Sequence, residues 1–426
     1  MKRLRASIRL AAFGMAALLL LLILFGTSSV IGQGRRWYFS AANVGLRVQS
    51  TSAVRGSILD RRGVVLASTD EAGERVYQAD AALRRAVGGT VGDVAGQVPY
   101  GVERLMSGAL TGADRPFFQK VSALLSGESP RGDHVRLSLD SALCQQVAVL
   151  FAEGGEGAAV AMNYRPGEVL ALCSLPAFDP LAPAPGIYTN RATERLLAPG
   201  AAFTVLTLAS ALESLDGLDE RTFSCGDFIT LRQAFAQGCD EAFRQLAREV
   251  SEGHLEKTAA AFGVGDTFPF AEVVVEGANL PDGKAGAETL SALPMTPMHL
   301  CLMAAAIAND GVMPEPKLVL DTVDPKGRAQ RPLSYTPYRR ALDKGTADSV
   351  AAYMREAVLS GTAALSAARG RSVCGVAGAV QGQDSQESWY FGFLDDEGAP
   401  YALSVVAADE ASAAQIAGRV FTMLTD

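Results

Sequence analysis

The chain has 426 residues, 49% hydrophobic and 20% charged, so it is long enough for two or more domains and apolar enough to bury a proper core. A net charge of -8, with no Lys/Arg-rich patch carrying interleaved aromatics, excludes a nucleic-acid binder. The six cysteines are scattered without a C-x-x-C pair, so neither a metal centre nor a cofactor is expected.

The first nine residues carry Lys2, Arg3, Arg5 and Arg9, and residues 10–31 then run without a single charge. Such a run can span a bilayer as one helix. The basic residues ahead of it place residues 1–9 in the cytoplasm and the rest of the chain on the extracytoplasmic side. Thr27, Ser28 and Ser29 would also suit a signal-peptide cleavage site, but the run exceeds the roughly 7–15 residues of a signal core, which favours a retained anchor. Cys144, Cys173, Cys225, Cys239, Cys301 and Cys374 could pair in an exported protein, yet spacing selects none of the possible pairings, and isolated buried thiols are the expectation.

Arg55 to Thr69 reads as a strand, a tight turn over Asp60, Arg61, Arg62 and Gly63, and a second strand. Residues 71–133 are rich in Gly and Ala and poorly periodic, as in a pedestal of short elements, and the turn-forming Gly127–Asp133 stretch marks a boundary. From His134 a short strand leads to Asp140, which can cap an amphipathic helix, and two apolar strands come next around a turn at Arg165, Pro166 and Gly167. Asn190–Glu213 is a loop broken at Pro199 and Gly200 that delivers an apolar helix into a core. A helix N-terminus of this kind could hold a nucleophile. Further along, Asp240 is placed to cap a helix. A core helix after Thr296 and Pro297 makes His299 a satisfied interior residue, and a strand pair near the C-terminus carries Gly375, Gly378, Trp389 and Phe391.

These segments resemble, in order, the class B penicillin-binding proteins, the serine transpeptidases that cross-link peptidoglycan. Arg55-Gly56-x-Ile58-x-Asp60-Arg61-x-Gly63-x-x-Leu66-Ala67 matches the signature opening their membrane-proximal domain at every fixed position. Gly157 to Ala171 and Ser174-x-Pro176-x-Phe178-Asp179-Pro180 match the start of their transpeptidase domain, and PYGVERLMSGALTG is loosely similar to their GLE-type segment. The resemblance implies an α/β fold of α+β type, an antiparallel sheet sandwiched by helices. It implies an anchor over 10–31, a pedestal over 32–133 and a transpeptidase-like domain over 134–426, and it leaves a homodimer possible.

The family's chemistry requires Ser-x-x-Lys, Ser-x-Asn and Lys-Thr-Gly. Ser and Lys three residues apart share one helical face, where the base can take the nucleophile's proton. At the matching positions this chain has Ala201 and Thr204, then Gly238 and Asp240 around Cys239, then Val376, Ala377 and Gly378. No Lys of the ectodomain has Ser three residues before it, so the first motif has not moved elsewhere. The resemblance therefore implies an inactive pseudo-transpeptidase of cell-wall synthesis, acting as scaffold or regulator with division or wall-synthesis proteins as partners. The other readings are a working transpeptidase or carboxypeptidase that uses Cys239 or Ser224, and a module that holds peptidoglycan stem peptides without turning them over.

Overall fold

The computed structural model describes most of residues 54–426 and a few helical residues between 14 and 25; outside lie 1–13, 26–53, 116–130, 278–291 and shorter stretches including 197–199, 330–334 and 382–385. The apolar run expected to be an anchor lies largely outside the described residues, among which no helix is long and apolar enough to cross a membrane. Pro199 and most of the Gly127–Asp133 stretch are also outside. Val54–Asp426 forms one compact unit.

The signature segment folds as read. Strands β1 (Ile58–Leu59) and β2 (Val65–Thr69) flank a turn closed by the Gly63 N–H donating to the Asp60 carbonyl, with Gly63 at φ 86. After β3 (Arg75–Tyr77) and α1 (Ala81–Val91), the chain reaches β4 (His134–Leu137) and α2 (Ser141–Ala148), whose first turn is capped by the Asp140 carboxylate, as expected.

The apolar pair β5 (Gly157–Asn163) and β6 (Glu168–Leu175) surrounds the predicted turn. Helix α3 (Gly200–Ser214) is followed by the hairpin β7 (Thr222–Cys225) and β8 (Asp227–Thr230), then by α4 (Leu231–Gln237), α5 (Asp240–Glu249) and α6 (Glu252–Ala261). Helix α7 (Pro297–Ala308) is buried from Pro297 to Ile307, as befits a helix apolar on all sides. Strand β9 (Val319–Val323), helix α8 (Lys344–Ser360), strands β10 (Val373–Gln381), β11 (Gln386–Leu394) and β12 (Tyr401–Ala408), and helix α9 (Ala413–Thr425) complete the unit.

Five strands form the central sheet in the order β10-β11-β12-β5-β6, with every neighbouring pair antiparallel. Because β12 is buried continuously from Ala402 to Ala408, helices must cover both of its faces. Helices α7 and α9 pack on it, and the Ser404 hydroxyl donates to the Pro297 carbonyl at 2.6 Å. A second sheet, ordered β9-β4-β1-β2-β3, draws strands from both sides of residue 133.

The signature residues tie this second sheet to the rest. The Asp60 carboxylate accepts from the Arg62 and Val64 backbone N–H groups, both at 2.8 Å, and from the Ser141 hydroxyl at 2.7 Å at the head of α2. Arg61 pairs with Glu168 at 3.3 Å and Arg62 with Asp140 at 2.6 Å. Asp179, in the Pro-bounded loop after β6, is held bidentately by Arg84 of α1 at 2.8 and 3.0 Å, which keeps its carboxyl below the ordinary range.

Candidate functional site

Helix α3 is buried without interruption from Ala202 to Ala211, and it packs against α5, α6, α8 and strand β10. Three segments that would carry the chemistry therefore share neighbours. The first lies on α3, the second at the turn into α5, and the third on β10. The burial explains the helix: an apolar stretch hydrophobic all round is stable only inside a protein. Ala201 stands in its first turn and Thr204 three residues on. Alanine carries no nucleophilic atom, and the buried Thr204 hydroxyl bears no charge and is no base near neutral pH.

The second segment turns on a glycine. Gly238 closes α4 in a left-handed conformation, φ 67 and ψ 42, and its N–H donates to the carbonyls of Ala234 and Phe235. A side chain here is doubly disfavoured, since a Cβ would sit 3.3 Å from the Thr362 Cγ2. Replacing Gly238 with Ser should therefore cost about 1–2 kcal/mol in urea unfolding. A cost near zero would show that the turn accepts the family's residue.

Two expectations are corrected at this turn. Cys225 and Cys239 are disulfide-bonded, with Cα atoms 6.2 Å apart, because the β7–β8 hairpin folds back beside the start of α5. Cys239 is then no free thiol and cannot serve as a substitute nucleophile, while the other four cysteines are free and buried as expected. Nor is Asp240 the N-cap expected of it. The disulfide-bonded Cys239 holds the cap position instead, without a side-chain cap, and the exposed Asp240 lies inside the first turn with Glu241. Two carboxylates there still complement the helix dipole.

The third segment runs along β10. Val376, Ala377 and Gly378 face Phe391, Tyr390 and Trp389 across the antiparallel ladder. Val376 is buried, Ala377 half-buried, and a Cβ on Gly378 would lie 3.5 Å from the Trp389 ring. The edge that would grip a carboxylate with Lys and Thr is apolar. Gly375 admits the Tyr390 side chain, whose hydroxyl oxygen would lie 2.2 Å from a Cβ at that position.

The serine and histidines that could stand in for the missing groups are engaged or placed as follows. Ser224 is exposed on β7, and no hydrogen bond links its hydroxyl to a His or Lys nitrogen among the described residues. His134 Nδ1 accepts from the Ser57 N–H at 2.9 Å. His299 is fully buried with Nε2 2.7 Å from the Phe262 carbonyl, and burial holds its pKa down at about 4; it is a core histidine as expected, but only half satisfied, because its Nδ1 has no hydrogen-bond partner among the described residues. Among the described residues no group of acidic, His and Cys side chains could hold a metal ion.

One titratable group near the site carries no mark in the sequence. Glu194, in the loop that precedes α3, accepts the Asn190 N–H at 2.9 Å and titrates at about 7. Burial raises it most, the Asn190 contact lowers it, and Glu276 raises it further. Between about 4.5, its ordinary value, and about 7 the folded state keeps a proton that the unfolded chain has lost. Stability is therefore intact below that window and falls as pH rises through it. Glu194→Gln keeps the acceptor without the charge. It is expected to add about 2 kcal/mol at pH 8, discounted for partial exposure, and nothing at pH 4.5. Urea unfolding of both proteins at the two pH values checks this.

The same scaffold recurs in known proteins. Residues 157–426 match the family model described as the penicillin binding protein transpeptidase domain. The chain is 26% identical over 365 residues to the peptidoglycan D,D-transpeptidase PbpA of Mycolicibacterium smegmatis, covering 72% of this chain and 74% of that protein. It is 30% identical over 273 residues to the Mycobacterium tuberculosis PbpA, covering 51% of this chain and 55% of that one. Among solved structures, the imipenem acyl-enzyme complex of M. tuberculosis penicillin-binding protein A is similar with a TM-score of 0.76 and 25% identity, over 88% of this chain and 99% of that one. A D,D-transpeptidase domain from Eggerthella lenta shares the fold at a TM-score of 0.72 and 24% identity, over 88% and 98%.

Proposed function

The chain belongs to the penicillin-binding protein transpeptidase family, and from that premise we propose that this cell-wall synthesis protein is a catalytically inert member acting as a scaffold or regulator. One observation carries the reading. On a preserved scaffold, the positions that would need a nucleophile, a base and a carboxylate grip hold Ala201, Thr204, Gly238, Asp240, Val376 and Ala377. Acyl transfer needs a nucleophile with a base in hydrogen-bond reach, and a polar edge to stabilise charge that develops on the substrate. Here the helix, turn and strand that would supply them offer a methyl group, a left-handed glycine and a buried valine.

In this reading residues 10–31 anchor the protein in the bacterial membrane, the 54–426 unit works on the extracytoplasmic side, and partners are other wall-synthesis or division proteins, with a second copy of the chain as a further candidate. The apolar β10 edge makes retained stem-peptide binding the weaker outcome. The experiment is incubation of the purified chain with a stem pentapeptide ending in D-alanyl-D-alanine, with free D-alanine quantified over hours. No release above buffer is expected. Sustained release proportional to protein concentration would reject inertness.

A further inference from the structure

Lys317 is only 6% exposed, and its ammonium has no ion-pair or hydrogen-bond partner among the described residues. A lysine is rarely so buried unless it is paired. Its backbone is fully used, because its N–H donates to the Gly167 carbonyl at 2.8 Å, and its carbonyl accepts from the Val169 N–H at 2.9 Å and the Ser138 hydroxyl at 2.8 Å. What Lys317 has left is its side chain, whose ammonium keeps some contact with solvent, and Lys317 is one of the residues lining a small pocket with Pro166, Glu168, Leu320 and Tyr335.

The pocket lies where Lys317 pairs in parallel with Glu168 at the start of β6. Strand β6 is the edge of the central sheet opposite β10, so this place is distinct from the candidate active site. Two acids bear on the ammonium, and neither neutralises it by contact. Glu168 is engaged by Arg61 at 3.3 Å. Glu272 feels the Lys317 charge without pairing to it; it accepts the Leu318 and Val319 N–H groups at 3.0 and 2.9 Å, and burial raises its pKa. The Tyr335 hydroxyl accepts from the Asn309 amide at 3.2 Å, which leaves its own proton to donate.

We propose that this pocket is a binding site for a monocarboxylate, held by the Lys317 ammonium and the Tyr335 hydroxyl. One unpaired positive charge beside one O–H donor matches the charge and the two oxygens of a carboxylate. The Glu168 carboxylate on the same wall opposes a dianion such as phosphate. The site stands whether or not the protein is catalytically inert.

The test is the melting temperature of the full chain in detergent at constant ionic strength and at pH 8, where inorganic phosphate is mostly the dianion, titrated with acetate, N-acetylglycinate, its neutral amide and inorganic phosphate. A saturable rise is expected with the carboxylates and none with the amide or phosphate. Tighter binding of N-acetylglycinate identifies a peptide chain end as the source, and equal binding a free small acid. Lys317→Met should abolish the response, and Tyr335→Phe, at an exposed position, should weaken it severalfold. An equal response to the amide or phosphate, a native protein that does not respond, or an unchanged response in Tyr335→Phe overturns the assignment.

Discussion

Glu103→Ala should destabilise the protein by about 3–5 kcal/mol, the cost of leaving buried charge uncompensated. The Glu103 side chain is 1% exposed, and both of its oxygens are taken. Arg55 approaches one at 3.0 Å and Arg75 the other at 2.6 Å, with side chains only 8% and 7% exposed. Burial already lowers the Arg75 pKa, and the Glu103 charge works against that shift. Without the carboxylate, two guanidinium groups face each other in the interior. The check is urea unfolding of Glu103→Ala beside Asp396→Ala, which breaks the half-exposed Arg371–Asp396 pair and should cost no more than about 1 kcal/mol. Equal effects of the two substitutions would contradict a buried role for Glu103.

Replacing Cys225 and Cys239 together with Ser should lower stability by about 3 kcal/mol. The disulfide spans a sequence separation of 14, and a loop of that size restricts the unfolded chain by roughly that amount. Reductant should lower the melting temperature of the native protein toward that of the double variant and leave the variant unmoved, because the remaining cysteines are already free thiols. A native protein insensitive to reductant under conditions that open the bond would show that the disulfide does not hold the turn.

The scaffold was largely legible in the sequence because its signals are local. Two apolar runs around Arg165, Pro166 and Gly167 could only be a strand pair, and Asp140 ahead of an amphipathic stretch could be read as a cap. What stayed hidden depends on residues far apart. The partner of Arg55 lies 48 positions away in the Gly- and Ala-rich stretch 71–133, whose sequence is poorly periodic, so Glu103 gave no sign of its importance. The Cys225–Cys239 bond needed the β7–β8 hairpin before its spacing meant anything, and the cap position of α5 falls on that bonded Cys239 and not on Asp240. At the candidate site the missing hydroxyl and amine groups were plain from residue identity alone. The left-handed backbone of Gly238 was not, and it makes a side chain costly at that position.

The most direct test of inertness is acylation. The purified chain is incubated with a fluorescent β-lactam, denatured, and weighed intact by mass spectrometry. A mass unchanged within error is predicted, since Ala201 offers no oxygen to acylate and Cys239 is locked in a disulfide. A stoichiometric adduct that survives denaturation would contradict the account, and mapping it would name the side chain that does the chemistry.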